Sequence, residues 1–181
     1  MARVHLLVFA CSLAPLTRHP SQIHTPAFFQ SILEGDWALV HSTSSPTKTI
    51  KSLTLPTIIE TVSFGDSSGD HSGDHHATLL TTVTYKESPS SSGKLTISSP
   101  FTILPTSTLI LSRPTHQLRP AGKLPANPSS LALNLQHALP THIWDGDTYK
   151  VRTTYVDEKV RVAQYQKGGK VAWCVWMRVV R

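Results

Sequence analysis

The densest run of groups able to hold a metal is Asp70-His71-Ser72-Gly73-Asp74-His75-His76. Imidazoles and carboxylates this close together suit Zn²⁺ or Cu²⁺ by ligand type. The run is also rich in Gly, Ser and Asp and lies between strand-like segments, so a bound ion would carry the entropic cost of ordering it. A flexible polar loop is the simpler reading, and no metal is assigned. His116, His137 and His142 share no ligand spacing. Cys11 and Cys174 are the only cysteines and define no disulfide framework; Cys174 falls in a β-patterned run and reads as a small buried hydrophobe. The chain has no nucleophile elbow, phosphate-binding glycine loop, CxxC pair or paired catalytic carboxylates. The expectation is a non-catalytic protein without a cofactor.

Charge narrows the partners. Of 181 residues, 39% are hydrophobic and 15% charged, with a formal net charge of +6 and a pI near 9.6. A nucleic-acid binder concentrates such charge on one face or in one run. Here Lys48, Lys51, Lys86, Lys94, Arg113, Arg119 and Lys123 are scattered singly. Nucleic acid is therefore not expected as a partner. Two readings of the charge stand: an ordinary solvated surface, or attraction to anionic lipid head groups. No stretch approaches the ~20 apolar residues of a membrane-spanning helix.

The elements that would carry a binding site are strands. Trp37, Leu39 and His41 alternate with Ala38, Val40 and Ser42; then come Ile50–Leu55, Thr57–Phe64, Ala77–Lys86, Lys94–Leu104 and Ser107–Ser112, rich in Val, Ile and Thr. Turn clusters at 65–74 and 88–93 separate them, favouring hairpins over crossover helices. Tyr149, Val151, Thr153 and Tyr155 alternate, Asp157–Glu158 turns, and Val160 and Val162 resume an apolar face. Gly168–Gly169 suits a tight hairpin before Val171, Trp173, Val175, Met177 and Val179. The stretch 113–128 is Pro-rich and reads as irregular. Two short helices are expected. The first follows Thr25 and Pro26, with Phe28, Phe29, Ile32 and Leu33 on one face and Gly35 as its stop; it could plug or flank a barrel end. The second starts at Asn127-Pro128 and runs to Leu139 before Pro140, with Leu131, Leu135 and Leu139 on one face, although Leu131, Leu133 and Leu135 also fit alternation. The expected fold is mainly β, an antiparallel lipocalin-like barrel over residues 26–181. Its interior takes every second residue, which assigns Trp37, Leu39, Tyr155, Val160, Val162, Trp173 and Val175 to the ligand-binding wall.

Residues 1–25 read as a possible targeting leader. No acid occurs before Glu34, and Arg3 precedes the apolar stretch Val4–Leu16. Both transit-peptide and secretory-signal features are present, and a first strand or arm of the mature fold is the third reading.

Two separated stretches resemble the plastid lipid-associated proteins, the fibrillin or plastoglobulin family. One is Leu33-Glu34-Gly35-Asp36-Trp37-Ala38-Leu39-Val40-His41-Ser42-Thr43-Ser44, similar to the family's Gly-x-Trp opening, with His41 where Tyr is usual. The other is Thr153-Thr154-Tyr155-Val156-Asp157-Glu158-Lys159-Val160-Arg161-Val162, similar to its Thr-Tyr-Leu-Asp-Glu-x-Leu-Arg-Ile signature. Ala163, Gln164 and Tyr165 then replace the usual Arg-Gly, and residues 45–145 match only in being strand-rich. In barrels of this kind the Gly-x-Trp indole closes the floor and an Arg from a late strand stacks on it. Gly35, Trp37 and Arg161 are the expected closure set; the alternative for Arg161 is an exterior position, since Val160 and Val162 cannot share its face. A monomer is expected, and the resemblance implies a plastid protein, peripheral to thylakoids or plastoglobules, binding an isoprenoid or neutral lipid. The alternative is a secreted lipocalin-type carrier of a small hydrophobic molecule.

Overall fold

Helix α1 (Pro26–Leu33) runs straight into strand β1 (Gly35–Ser42) in the computed structural model, which describes residues 26–64, 77–88, 91–104, 108–122, 127–145 and 149–180. The Asp70–His76 run, Cys11, Thr25 and the leader segment lie outside the described residues. Strands β2 (Thr54–Ser63), β3 (Ala77–Ser88), β4 (Ser91–Leu104), β5 (Thr108–Leu111) and β6 (Thr115–Pro120) follow. Helices α2 (Pro128–Ala138) and α3 (Thr141–Trp144) come next, and then β7 (Lys150–Val156), β8 (Val160–Lys167) and β9 (Lys170–Arg178).

Every pairing is antiparallel, and β9 pairs back onto β1. Eight strands close in the order β1-β2-β3-β4-β5-β7-β8-β9, giving the expected lipocalin-like barrel. The ninth, β6, is an addition. The long β4 pairs with β3 on one edge and divides the other, giving Phe101–Leu104 to β5 and Gly93–Ser98 to β6. The Pro-rich stretch is thus not irregular throughout. Pro114 precedes a six-residue edge strand and Pro120 is its last residue, an edge position where a missing N–H is tolerated. A second correction concerns β2. The two expected strands at 50–55 and 57–64 are one, beginning at Thr54, with a register shift between Thr54 and Thr57 where Pro56 cannot donate.

The turns follow their residue types. Gly168 and Gly169 take φ of 53° and 79°, the pair of positive values that a two-residue hairpin needs. Between β7 and β8, Asp157 Oδ1 accepts from the amides of Lys159 and Val160, both at 2.7 Å, closing the turn from its side chain.

Two apolar clusters of buried residues lie toward opposite ends of the barrel. Phe29 and Leu33 of α1 pack on Trp37, Leu79, Phe101, Leu109, Val151 and Trp176. At the other end Leu131, Leu135 and Leu139 meet Val83, Tyr85, Leu95 and Ile97. Their i, i+4, i+8 spacing puts them on one helical face, and the alternating reading of these leucines does not hold. Asn127 caps α2 by accepting from the amide of Ser130 at 3.0 Å. Leu39 and Ile58 touch both clusters and join them.

Candidate functional site

Trp37 is fully buried, and its indole N–H donates to the Leu33 carbonyl at 2.9 Å. The cation on its ring is Arg178, 4.2 Å from the centroid, and not Arg161. Arg178 is opposite Trp37 in the β1–β9 ladder, so the stack follows from strand register. Its Nη1 also donates to the Glu34 carbonyl at 2.8 Å and its Nη2 to the Ile32 carbonyl, capping the open end of α1. Gly35 has φ of 121°, and a Cβ there would lie 2.8 Å from Arg178 Nη1. Gly35, Trp37 and Arg178 are therefore the closure set.

Arg161 has a different task. It is completely buried inside the barrel, with Nη1 2.5 Å from Glu60 Oε2. The Tyr165 hydroxyl donates to Glu60 Oε1 at 2.6 Å. Burial works against the guanidinium's charge, but attraction to Glu60, together with Tyr165, the hydrogen bond to Glu60 and Cys174, outweighs it and holds the Arg161 pKa above its ordinary value. Burial, then Glu60, raises the Tyr165 phenol well above its usual range, so it remains a donor.

Cys174 and His142 extend this cluster. Cys174 Sγ lies 3.2 Å from His142 Nε2, and the His142 ring sits 4.6 Å from that of Tyr165. A cysteine beside a histidine is the arrangement of a thiolate nucleophile. Here the electrostatics oppose it. Burial pushes the Cys174 thiol up to about 12 and the His142 imidazole down to about 4, leaving both neutral at pH 7. A neutral thiol sealed from solvent is a poor nucleophile. Among the described residues no group of three or more His, Cys, Asp or Glu is placed to hold a metal ion.

The buried imidazole has a measurable consequence. Its folded pKa of about 4 lies below the unfolded value near 6.5, so the unfolded chain takes up the proton first as pH falls. Stability is full above about pH 6.5 and declines toward pH 4, at about 1.4 kcal/mol per pH unit, or roughly 3 kcal/mol in all. Urea midpoints measured from pH 7 to pH 4 should show this slope in the wild type and a flatter profile in His142→Phe. Parallel profiles would refute a neutral buried His142.

Of the residues expected to line the ligand wall, the structure places Trp37 and Leu39 inward and the other five outward. The inward face of β8 is Arg161, Ala163 and Tyr165, and that of β9 is Ala172, Cys174 and Trp176. Val160, Val162 and Val175 are half-buried on the outer surface, while Tyr155 and Trp173 are exposed. The period was right and the phase was inverted, because the outer side of β9 is more apolar than its inner side. Register brings the displaced residues together: Val162 is opposite Tyr155 on one side and Val175 on the other, and Val160 is opposite Met177. Val171, Trp173 and Val40 are exposed apolar residues on the same side of β9 and β1, with Gln164 and Gln166 of β8 opposite Trp173 and Val171.

An open cleft of about 390 Å³ adjoins this face at the α3 end, lined by Ser44, His142, Tyr149, Tyr165, Lys170 and Ala172 among others. Among the described residues no helix is long and apolar enough to cross a membrane. Compared with protein-family models, with curated proteins and with solved structures, the chain has no match.

Proposed function

We propose that this chain is a non-catalytic lipid-associated protein that lies on a lipid surface by the outer face of β7, β8 and β9 and holds a lipophile, an isoprenoid or neutral lipid, in its barrel. The observation that carries this reading is the inversion on β9. Val171, Trp173, Val175 and Met177 face outward while Ala172 and Cys174 face in. Trp173 is 41% exposed, and Val40, Tyr155 and Met177 are each at least half exposed. Exposed large apolar side chains gathered on one side of a barrel suit contact with an apolar surface. Tryptophan and tyrosine place an apolar ring and a polar tip at a lipid interface. Lys150, Arg152 and Lys170 are exposed on the same strands and supply attraction to anionic head groups. The neutral state of Cys174 and His142 favours a binding role over catalysis. The plastid compartment rests on the sequence resemblance alone.

Flotation with phosphatidylcholine vesicles containing anionic phosphatidylglycerol tests the surface. The wild-type chain should float with the vesicles. The double variant Trp173→Asp/Met177→Asp should keep its thermal midpoint, since both positions are exposed, and lose attachment by at least about tenfold, charges at the interface being strongly disfavoured. A wild-type chain that stays in the aqueous phase would end the surface reading.

A further inference from the structure

Several donors of the buried polar cluster have no acceptor within reach among the described residues. Glu60 spends both oxygens, one on Arg161 Nη1 and one on the Tyr165 hydroxyl. Arg161 Nε and Nη2, Trp176 Nε1, Thr153 Oγ1 and His142 Nδ1 are buried with no hydrogen-bond partner among the described residues; the two arginine nitrogens and the indole N–H can only donate, whereas the hydroxyl and the imidazole nitrogen can also accept. All but the imidazole nitrogen belong to three adjacent strands. Arg161 is directly opposite Trp176 in the β8–β9 ladder, and both side chains point inward. Thr153 is opposite Ala163, the next inward residue after Arg161 on β8. Directly opposed side chains begin only about 5 Å apart, so the guanidinium edge and the indole N–H serve one region of the interior. Buried N–H groups left unpaired are costly and uncommon in folded proteins. Apart from Tyr165, the other inward residues of β8 and β9 are Ala163, Ala172 and Cys174, all small.

Charge decides what would satisfy these donors. Glu60 already neutralises Arg161, so an anionic head group would bring a net negative charge into a low-dielectric interior at high cost. An uncharged acceptor brings none. We infer that the barrel interior holds a neutral carbonyl-bearing lipophile, whose carbonyl oxygen accepts from Arg161 and Trp176, in preference to a fatty-acid anion or a pure hydrocarbon. The inference rests on the reading of the barrel as a lipophile holder and specifies the ligand's polar group. The open cleft lined by Tyr165 and His142 borders the cluster at Tyr165.

Three probes of equal chain length separate the possibilities: methyl dodecanoate, dodecane and, at pH 8, dodecanoate. Equilibrium retention of each radiolabelled probe by the full chain should favour the ester over dodecane by about five- to tenfold, the worth of one or two net hydrogen bonds, and over dodecanoate by at least as much. The bound ester's carbonyl stretch should move to lower frequency, which a core satisfied only by water would not produce. In Trp176→Phe, which keeps a ring and loses the N–H, the ester's advantage over dodecane should narrow severalfold. The paired variant Glu60→Gln/Arg161→Met, which leaves no buried charge, should abolish it while circular dichroism shows the barrel intact. Equal retention of ester and dodecane would overturn the carbonyl site and leave an apolar interior. Tighter binding of dodecanoate would overturn the preference for an uncharged head. No retention of any probe, in protein that still floats with vesicles, would overturn the interior site and leave the outer surface standing.

Discussion

Glu60→Leu alone is expected to destabilise the barrel by about 3–5 kcal/mol, because it strands a fully buried guanidinium without its counter-charge. Arg161→Met should cost a similar amount by leaving the Glu60 carboxylate with only the Tyr165 hydroxyl as partner. The double variant Glu60→Leu/Arg161→Met should recover most of either loss, since apolar side chains of similar size remove the desolvation cost together with the attraction. Urea denaturation of the four proteins gives the coupling directly. Purely additive losses would show that the two side chains do not interact in solution, and Arg161 would then not be held by Glu60 beside Trp176. A double variant more stable than the wild type would mean that the barrel keeps the pair at a cost to its own stability, as a binding site does and a purely structural core need not.

Much of the fold was legible because it depends on local patterns. Alternation located β1, β3, β4, β5, β7, β8 and β9; Asn127-Pro128 marked the start of α2; and the glycine pair marked the last hairpin. The edge strand β6 was missed because Thr115–Pro120 pairs on one side only, and its burial leaves no apolar alternation to read.

The site was less legible, for a physical reason. Alternation fixes which residues share a face, and a further assumption, that the more apolar face is the inner one, fixes which way it points. That assumption fails on β9, where Trp173, Val175 and Met177 are outside, and on β8, where an inward Arg161 separates outward valines. One signal was present. Glu60 sits within Thr57-Ile58-Ile59-Glu60-Thr61-Val62, an acid in the middle of a β-branched run, and buried acids are rare unless paired. A buried cation was needed, and Arg161 was one of several basic residues of the late strands, with Lys150, Arg152 and Arg178, that the alternation left off an apolar face. His142 and Cys174 carried no such signal, because their contact spans 32 residues and depends on where α3 enters the barrel.

The floor of the barrel carries the second large expected effect. Trp37→Ala should cost about 3–5 kcal/mol, the range for removing a large buried aromatic side chain. Arg178→Met should cost less, about 1–3 kcal/mol. It loses a cation–π contact worth about 0.5–2 kcal/mol and the caps on the Ile32 and Glu34 carbonyls, while a long apolar stem remains over the ring. The two losses should not add. Once the indole is gone the guanidinium retains only its carbonyl partners, so the double variant should fall short of the sum by about the cation–π contribution. Guanidinium chloride denaturation, followed by far-ultraviolet circular dichroism so that the loss of one tryptophan does not alter the signal, measures all four proteins. Strict additivity would mean that Arg178 acts only as the cap of α1. A cost for Arg178→Met as large as for Trp37→Ala would mean that α1 detaches with it, exposing Phe29 and Leu33. Because Arg178 touches the end of α1, the floor tryptophan and the close approach at Gly35, the last strand is the element that locks the first helix onto the barrel.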